Sequence, residues 1–135
     1  MKSGLILLLL AMVPASAGTC SPQETYAAEI VSDYIESWNK LRMAYKEFGH
    51  CDEGFIAEGF SEVVARLLTT QWSRLPELSS TIKKDASFGD FVFRHINGTW
   101  GIPERKKVGV LAASSCPAGE ALLCEKISAA ITLAR

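Results

Sequence analysis

The densest group of side chains that could do chemistry lies in one short segment, residues 49–54, with the sequence GHCDEG. An imidazole, a thiol and two carboxylates could bind a metal ion or act in acid–base catalysis. Neighbouring residues in a turn do not readily converge on one point, however, and the same residues suit a connection between helices. In that interpretation Asp52 is a helix N-cap, Glu53 benefits from the helix dipole, and Cys51 forms a disulfide. We expect this structural role and keep a hydrolase of cell-wall or lipid substrates, using residues 50–53, as an alternative.

Four cysteines could supply either disulfides or metal ligands. They are Cys20, Cys51, Cys116 and Cys124. No pair has the Cys-x-x-Cys spacing of zinc or redox sites. The Pro-Ala-Gly turn after Cys116 could fold the chain back, so Cys116–Cys124 is the predicted disulfide. A continuous helix between Cys20 and Cys51 would hold these two about 39 Å apart, so we do not expect them to pair. Cys51 with either C-terminal cysteine is the alternative.

The elements that would position these residues are helices. A first helix has the clearest start, because Ser21, Pro22 and Glu24 form a capping box with proline at its first position. Its apolar residues recur at helical spacing, at Tyr26, Ile30, Tyr34, Trp38, Leu41, Tyr45 and Phe48. Gly49 ends this pattern. No proline or glycine interrupts it, so the sequence predicts one unbroken helix.

Five further helices are predicted from similar start, stop and periodicity signals. Their approximate ranges are 52–72, 76–83, 85–96, 103–112 and 119–134. Gly54 and Gly59 inside the first of these indicate close packing against a neighbouring helix. The predicted fold class is therefore all-α: a compact bundle of five or six helices, stapled by disulfide.

Aromatic and histidine side chains on these helices have two interpretations. The stripe of the first helix could be a partner surface, at Tyr26, Tyr34 and Tyr45, because tyrosine is enriched at interfaces. Helical spacing more often marks core, and we expect Trp38 to be buried. His95 is expected to be a partly buried structural histidine. No catalytic, cofactor-binding or metal-ligating residue is predicted.

Residues 1–17 have the pattern of a secretory signal peptide. Lys2 precedes an apolar run over residues 5–13, and Ala15-Ser16-Ala17 is a small-residue cleavage site. The apolar run is too short to span a bilayer, which needs about 20 residues, so no stable membrane anchor is expected. The prediction is a signal peptide at 1–17 and a single helical domain at 18–135, located in the periplasm or secreted, where disulfides form.

The charge of the chain and the lack of a recognisable catalytic motif limit the functions that the sequence allows. The chain has 14 Lys and Arg residues against 15 Asp and Glu, a net charge of −1. No basic face is evident, which argues against nucleic-acid binding. The expected function is binding another protein, as an inhibitor or immunity-type protein, with no cofactor. A carrier of a small apolar ligand held between helices is the alternative.

In outline the chain resembles the small exported helical proteins of bacteria, among them the periplasmic immunity proteins that neutralise type VI amidase effectors. The likeness consists of the signal peptide, the helical make-up, the mature length and the ending Ser115-Cys116-Pro117…Cys124. It implies a non-enzymatic role with a protein partner, and no site residue is carried over from it.

Export is directly testable. N-terminal sequencing of the protein from its native host should begin at Gly18 or within one or two residues of it. A chain that still begins at Met1, or one that begins at a lipid-modified Cys20, would contradict the predicted cleavage.

Overall fold

The computed structural model describes residues 19–134, and within that range all the regular structure is helical. Its α-helices are α1 Pro22–Ser32, α2 Trp38–Phe48, α3 Gly54–Thr70, α4 Leu75–Lys84, α5 Ala86–Arg94, α6 Ile102–Ser114 and α7 Ala121–Leu133. The all-α class is confirmed, with seven helices in place of the five or six predicted. Each described helix falls short of the length or apolar character needed to cross a bilayer. The predicted signal peptide, residues 1–17, lies outside the described range.

The first predicted helix is two helices, so its prediction as one unbroken helix was wrong. α1 begins as expected, with the backbone N–H of Glu24 donating to Ser21 Oγ at 3.1 Å and the Glu24 carboxylate accepting from the Ser21 N–H at 3.0 Å. It ends at Ser32. Ser37 then starts α2, its hydroxyl accepting a hydrogen bond from the Lys40 N–H at 3.1 Å. A serine in the middle of an apolar stripe was the one local sign of a new start.

Side chains of α3 and its C-cap satisfy the carbonyls exposed where the chain breaks. Arg66 Nη2 donates to the backbone oxygens of Ser32, at 3.2 Å, and Ile35, at 3.0 Å. Gln71 Nε2 donates to the oxygen of Glu36 at 2.7 Å. These carbonyls would have bonded within the helix had it continued. The break is therefore stabilised by tertiary contacts that sequence periodicity does not contain.

The break makes α1 and α2 a hairpin whose open end is closed by a disulfide between Cys20 and Cys51. The two helices are 11 residues long each, so their outer ends meet, and the two Cα atoms lie 5.0 Å apart. The expectation against this pair was wrong because it assumed one straight helix. The predicted Cys116–Cys124 disulfide is present, with a Cα–Cα distance of 6.1 Å. It joins the start of the α6–α7 connection to the first turn of α7.

The interior is centred on aromatic side chains. Trp38, Phe60 and Phe91 have no measurable exposure, and the rings of Phe60 and Phe91 meet edge to face at 5.3 Å. The buried cluster around them takes residues from all seven helices. Of the two glycines predicted to pack closely, Gly59 does, because a Cβ there would lie 3.6 Å from the Ser32 hydroxyl of α1. The prediction was wrong for Gly54, where a Cβ would have no neighbour within 4 Å and the backbone φ is +55°.

Trp38 tests this interior. Trp38→Ala should lower the free energy of unfolding by about 3–5 kcal/mol, because it leaves a large cavity in a packed core. Tyr34→Ala is the control: Tyr34 is 68% exposed, and its loss should cost less than about 0.5 kcal/mol. Chemical denaturation of both variants measures the difference. Equal costs for the two would show that Trp38 is not a core residue.

Candidate functional site

The segment over residues 50–53 does not assemble a single chemical site. His50 Nε2 lies 2.8 Å from the carboxylate of Glu24 on α1, whereas Asp52 contacts α5. The predicted N-cap role of Asp52 was wrong, because Glu53 occupies that position before α3 and makes no side-chain cap bond. The alternative of a hydrolase cleft that joins His50 and Asp52 therefore has no geometric support.

Cys20, Glu24 and Cys51 bring three possible ligand atoms within 4.8 Å of one another. The two sulfurs are joined in the disulfide and cannot supply the thiolates that bind metal ions. The hydrogen bond from the Ser21 backbone, followed by that from His50, lowers the pKa of Glu24 below its ordinary value. This group therefore fastens the short 3-10 helix at Gly49–Cys51 to the start of α1.

Asp52 belongs to a different group, which we call the polar cluster: Asp52, Ser61, Arg94, His95 and Asn97. His95 Nε2 lies 2.9 Å from Asp52 Oδ2, and His95 Nδ1 lies 2.7 Å from Ser61 Oγ. Arg94 Nη2 donates to the same Asp52 oxygen at 2.8 Å. The residue types match those of a serine–histidine–aspartate triad. The sequence did not reveal this grouping, because its members lie 34 and 43 residues apart.

Accessibility argues against nucleophilic chemistry in the polar cluster. Ser61 is 1% exposed and His95 is 2% exposed, so a substrate carbonyl has no approach to the hydroxyl. Ser61 Oγ also lies 3.0 Å from the Ala57 carbonyl, as donor, and 3.0 Å from Asn97 Nδ2, as acceptor. Its hydrogen-bonding capacity is thus engaged inside the protein. The predicted structural role of His95 agrees with this burial.

The electrostatics of the polar cluster hold the connection before α3 against α5. Burial acts to raise the pKa of Asp52, but hydrogen bonds from His95 and Arg94, together with their charge, outweigh burial and lower that pKa below its ordinary value. The carboxylate is therefore ionised at neutral pH. The Asp52 side chain is only 6% exposed, and that of Arg94 is 56% exposed. One end of this ion pair is consequently sealed, and the other reaches solvent.

The three tyrosines named as a possible partner surface do not share one environment. Tyr26 and Tyr34 are 67% and 68% exposed. Tyr45 instead packs on Phe91, with ring centroids 4.8 Å apart, and its hydroxyl donates to Ser87 Oγ at 2.9 Å. Tyr45 is thereby committed to the contact between α2 and α5. A partner surface on the hairpin can include only Tyr26 and Tyr34 of the three.

Two residues that the sequence analysis did not select join these tyrosines on the surface. Met43 of α2 is 62% exposed, and Ile30 of α1 is 43% exposed. Tyr34 and Met43 line an open groove of about 300 Å³ beside α1 and α2. We call Tyr26, Ile30, Tyr34 and Met43 the hairpin face. Periodicity did not reveal this surface, because it placed Tyr26, Ile30 and Tyr34 on one continuous stripe expected to be core and left Met43 outside that stripe.

A second apolar depression runs beside α7. It consists of two adjoining hollows of about 560 and 210 Å³, both lined by Phe93 and Lys126. Leu122 and Leu133, 66% and 85% exposed, line its two ends. We call this depression the α7 groove. It is open to solvent, whereas a carrier of a small apolar ligand would hold that ligand in an enclosed cavity between helices.

No family model, curated protein or solved structure matches the chain. Residue roles therefore come from the chemistry and placement of the chain's own side chains. On that basis the polar cluster is a structural anchor, and the hairpin face and the α7 groove are the candidate functional surfaces.

The Asp52 anchor makes a pH-dependent prediction. Asp52→Asn should lower the free energy of unfolding at pH 7 by about 1–3 kcal/mol, because it removes a charged partner of buried hydrogen bonds. Because folding lowers the pKa of Asp52, this stabilisation is complete above the unfolded-state pKa of about 4. It is lost as the pH falls through the folded-state value.

Denaturation curves of wild type and Asp52→Asn between pH 7 and strongly acidic pH measure that difference. Asp90→Asn, at an exposed position of α5, is the matched control and should change little at any pH. The difference in unfolding free energy between wild type and Asp52→Asn should shrink as the pH falls below 4. If it stays constant there, the assigned role of the carboxylate is contradicted.

Proposed function

We propose that this protein acts outside the cytoplasm, in the periplasm or as a secreted protein, by binding another protein through the hairpin face. Its two disulfides support the compartment, because such bonds persist in oxidising surroundings. An inhibitor or immunity-type role is the form of binding that we favour. The sealed polar cluster supports binding over catalysis, since its serine and histidine are inaccessible.

The observation that carries the proposal is the exposure of the hairpin face. Its four apolar side chains are between 43% and 68% exposed. Tyr34 and Met43 line one groove, and Tyr26 and Ile30 lie one turn apart on α1. Single exposed apolar residues are ordinary on a protein surface, whereas several close together mark a contact surface. Tyrosine and methionine are among the residue types enriched at interfaces. The hairpin face has this composition.

The construction of the hairpin also favours binding. The Cys20–Cys51 disulfide closes its open end, and Arg66 holds the backbone at its turn. A surface fixed at both ends loses little conformational freedom when a partner docks. Lys40 and Glu47 line the groove beside Met43 and supply the charged rim typical of interfaces.

Site-specific photo-crosslinking tests this proposal. The photoreactive residue p-benzoylphenylalanine is introduced at Met43 in the full chain and irradiated in the native host. We expect a discrete adduct of protein size. Val110 of α6 is the matched control position, because it and Met43 are both 62% exposed, and it should give no such adduct.

A second variant tests the role of the hairpin face itself. Tyr34→Ser in the Met43 crosslinking background should reduce the adduct about tenfold, as expected for loss of an interface aromatic, with no change in thermal stability. No adduct at Met43, or equal adducts at Met43 and Val110, would contradict the proposal. An adduct of small-molecule mass would instead support the carrier of an apolar ligand.

A further inference from the structure

The α7 helix has apolar residues on two faces, only one of which is covered by the fold. Leu123, Cys124 and Ile127 point into the core. Leu122, Lys126, Ala129 and Leu133 follow one another at helical spacing of four, three and four residues, and all are exposed. Three of these four residues are apolar. The second face of α7 is thus mostly apolar and open to solvent within the described residues.

The α7 groove lies along that second face. The distance from Leu122 to Leu133 along the helix is about 16 Å, or three turns. Phe93 of α5 lines both hollows of the groove between these leucines. The floor is thus an elongated apolar strip with an aromatic ring midway. Its length and straightness suit a partner helix of similar length laid beside α7.

The charges around the groove indicate which charge a partner helix would need. Lys83, Arg94 and Lys126 line it, and Glu120 is the one carboxylate among its lining residues. The charge of Arg94 is already paired with Asp52, so the excess consists of the two lysines. This cationic excess is local, because the whole chain has a net charge of −1. Among the described residues, Lys83 and Lys126 form no ion pair. Lys126 Nζ lies 5.9 Å from the centre of the Phe93 ring, over the apolar floor.

We infer that the α7 groove is a second docking surface, which binds an acidic amphipathic helix of another protein. The partner's apolar residues would lie between Leu122 and Leu133, and its carboxylates would meet Lys83 and Lys126. A fatty acid has one carboxylate and needs one cation, whereas Lys83 of α4 and Lys126 of α7 both line the groove. The groove shares no lining residue with the hairpin face.

Two synthetic peptides of about 14 residues, long enough to cover the groove as helices, test this inference. Both have leucines at helical spacing; one has glutamates at the flanking positions and the other has lysines. Fluorescence anisotropy measures their binding to the full chain. We expect the glutamate peptide to bind about tenfold more tightly at low salt, from several weak rim pairs, and the preference to shrink at high salt.

Variants locate the binding and its charge dependence. Leu133→Ser should weaken the glutamate peptide about tenfold, while Val110→Ser, at a similarly exposed apolar position outside the groove, should leave it unchanged. The double variant Lys83→Glu and Lys126→Glu should reverse the preference in favour of the lysine peptide. Lys106→Glu of α6 is its charge control and should leave the preference unchanged.

Several outcomes would overturn the inference. These are equal binding of the two peptides, binding of neither, or binding that Leu133→Ser does not weaken. A dimer of the wild type that Leu133→Ser dissolves would assign the groove to a second copy of the chain. Binding of oleate with no binding of either peptide would assign it to a lipid. None of these results bears on the hairpin face, because the two surfaces are built from different residues.

Discussion

The N-terminal half is arranged around a chain reversal that one guanidinium holds by hydrogen bonds. Arg66 of α3 donates to the backbone oxygens of Ser32, the last residue of α1, and of Ile35 in the α1–α2 connection. A guanidinium suits this task, because it stays charged and offers several donors in one plane. Chain reversal at this point brings Cys20 to Cys51 and Glu24 to His50. It also leaves the hairpin face on the outside. The disulfide therefore closes an arrangement that side chains of α3 help to define.

Local signals in the sequence were sufficient for most helix starts. The Ser21 capping box and the Asp85 cap are both present, the latter with the Asp85 carboxylate accepting from the Phe88 N–H at 3.3 Å. Each of these signals acts within a few residues of the helix that it starts. The α1–α2 break depends instead on Arg66 and Gln71, which lie 31 to 35 residues from the carbonyls they bind. The periodicity correctly identified the apolar residues of α1 and α2. It carried no information about the chain reversal that separates the two helices.

The candidate surfaces were less predictable than the core for a related reason. Spacing identified Trp38 as buried, and its burial survives the break because Trp38 begins α2 and packs into the core there. Spacing could not separate Tyr34 from Tyr45, since one faces solvent and the other meets α5 only after the tertiary fold is complete. Leu122 and Leu133 likewise fit an apolar helix, and their exposure depends on where α5 and α6 lie. The polar cluster arises in the same way, from side chains that the packing of α3 and α5 brings together.

The order of the cysteines along the chain has a consequence for how the protein matures. Each disulfide joins cysteines that are consecutive in sequence, first with second and third with fourth. A chain that meets an oxidase from its N terminus onward can close the first bond once α3 has emerged, while the other two thiols are still behind it. Oxidation in the order in which the thiols emerge then favours the native pairs over the crossed ones, which would need thiol–disulfide exchange to correct.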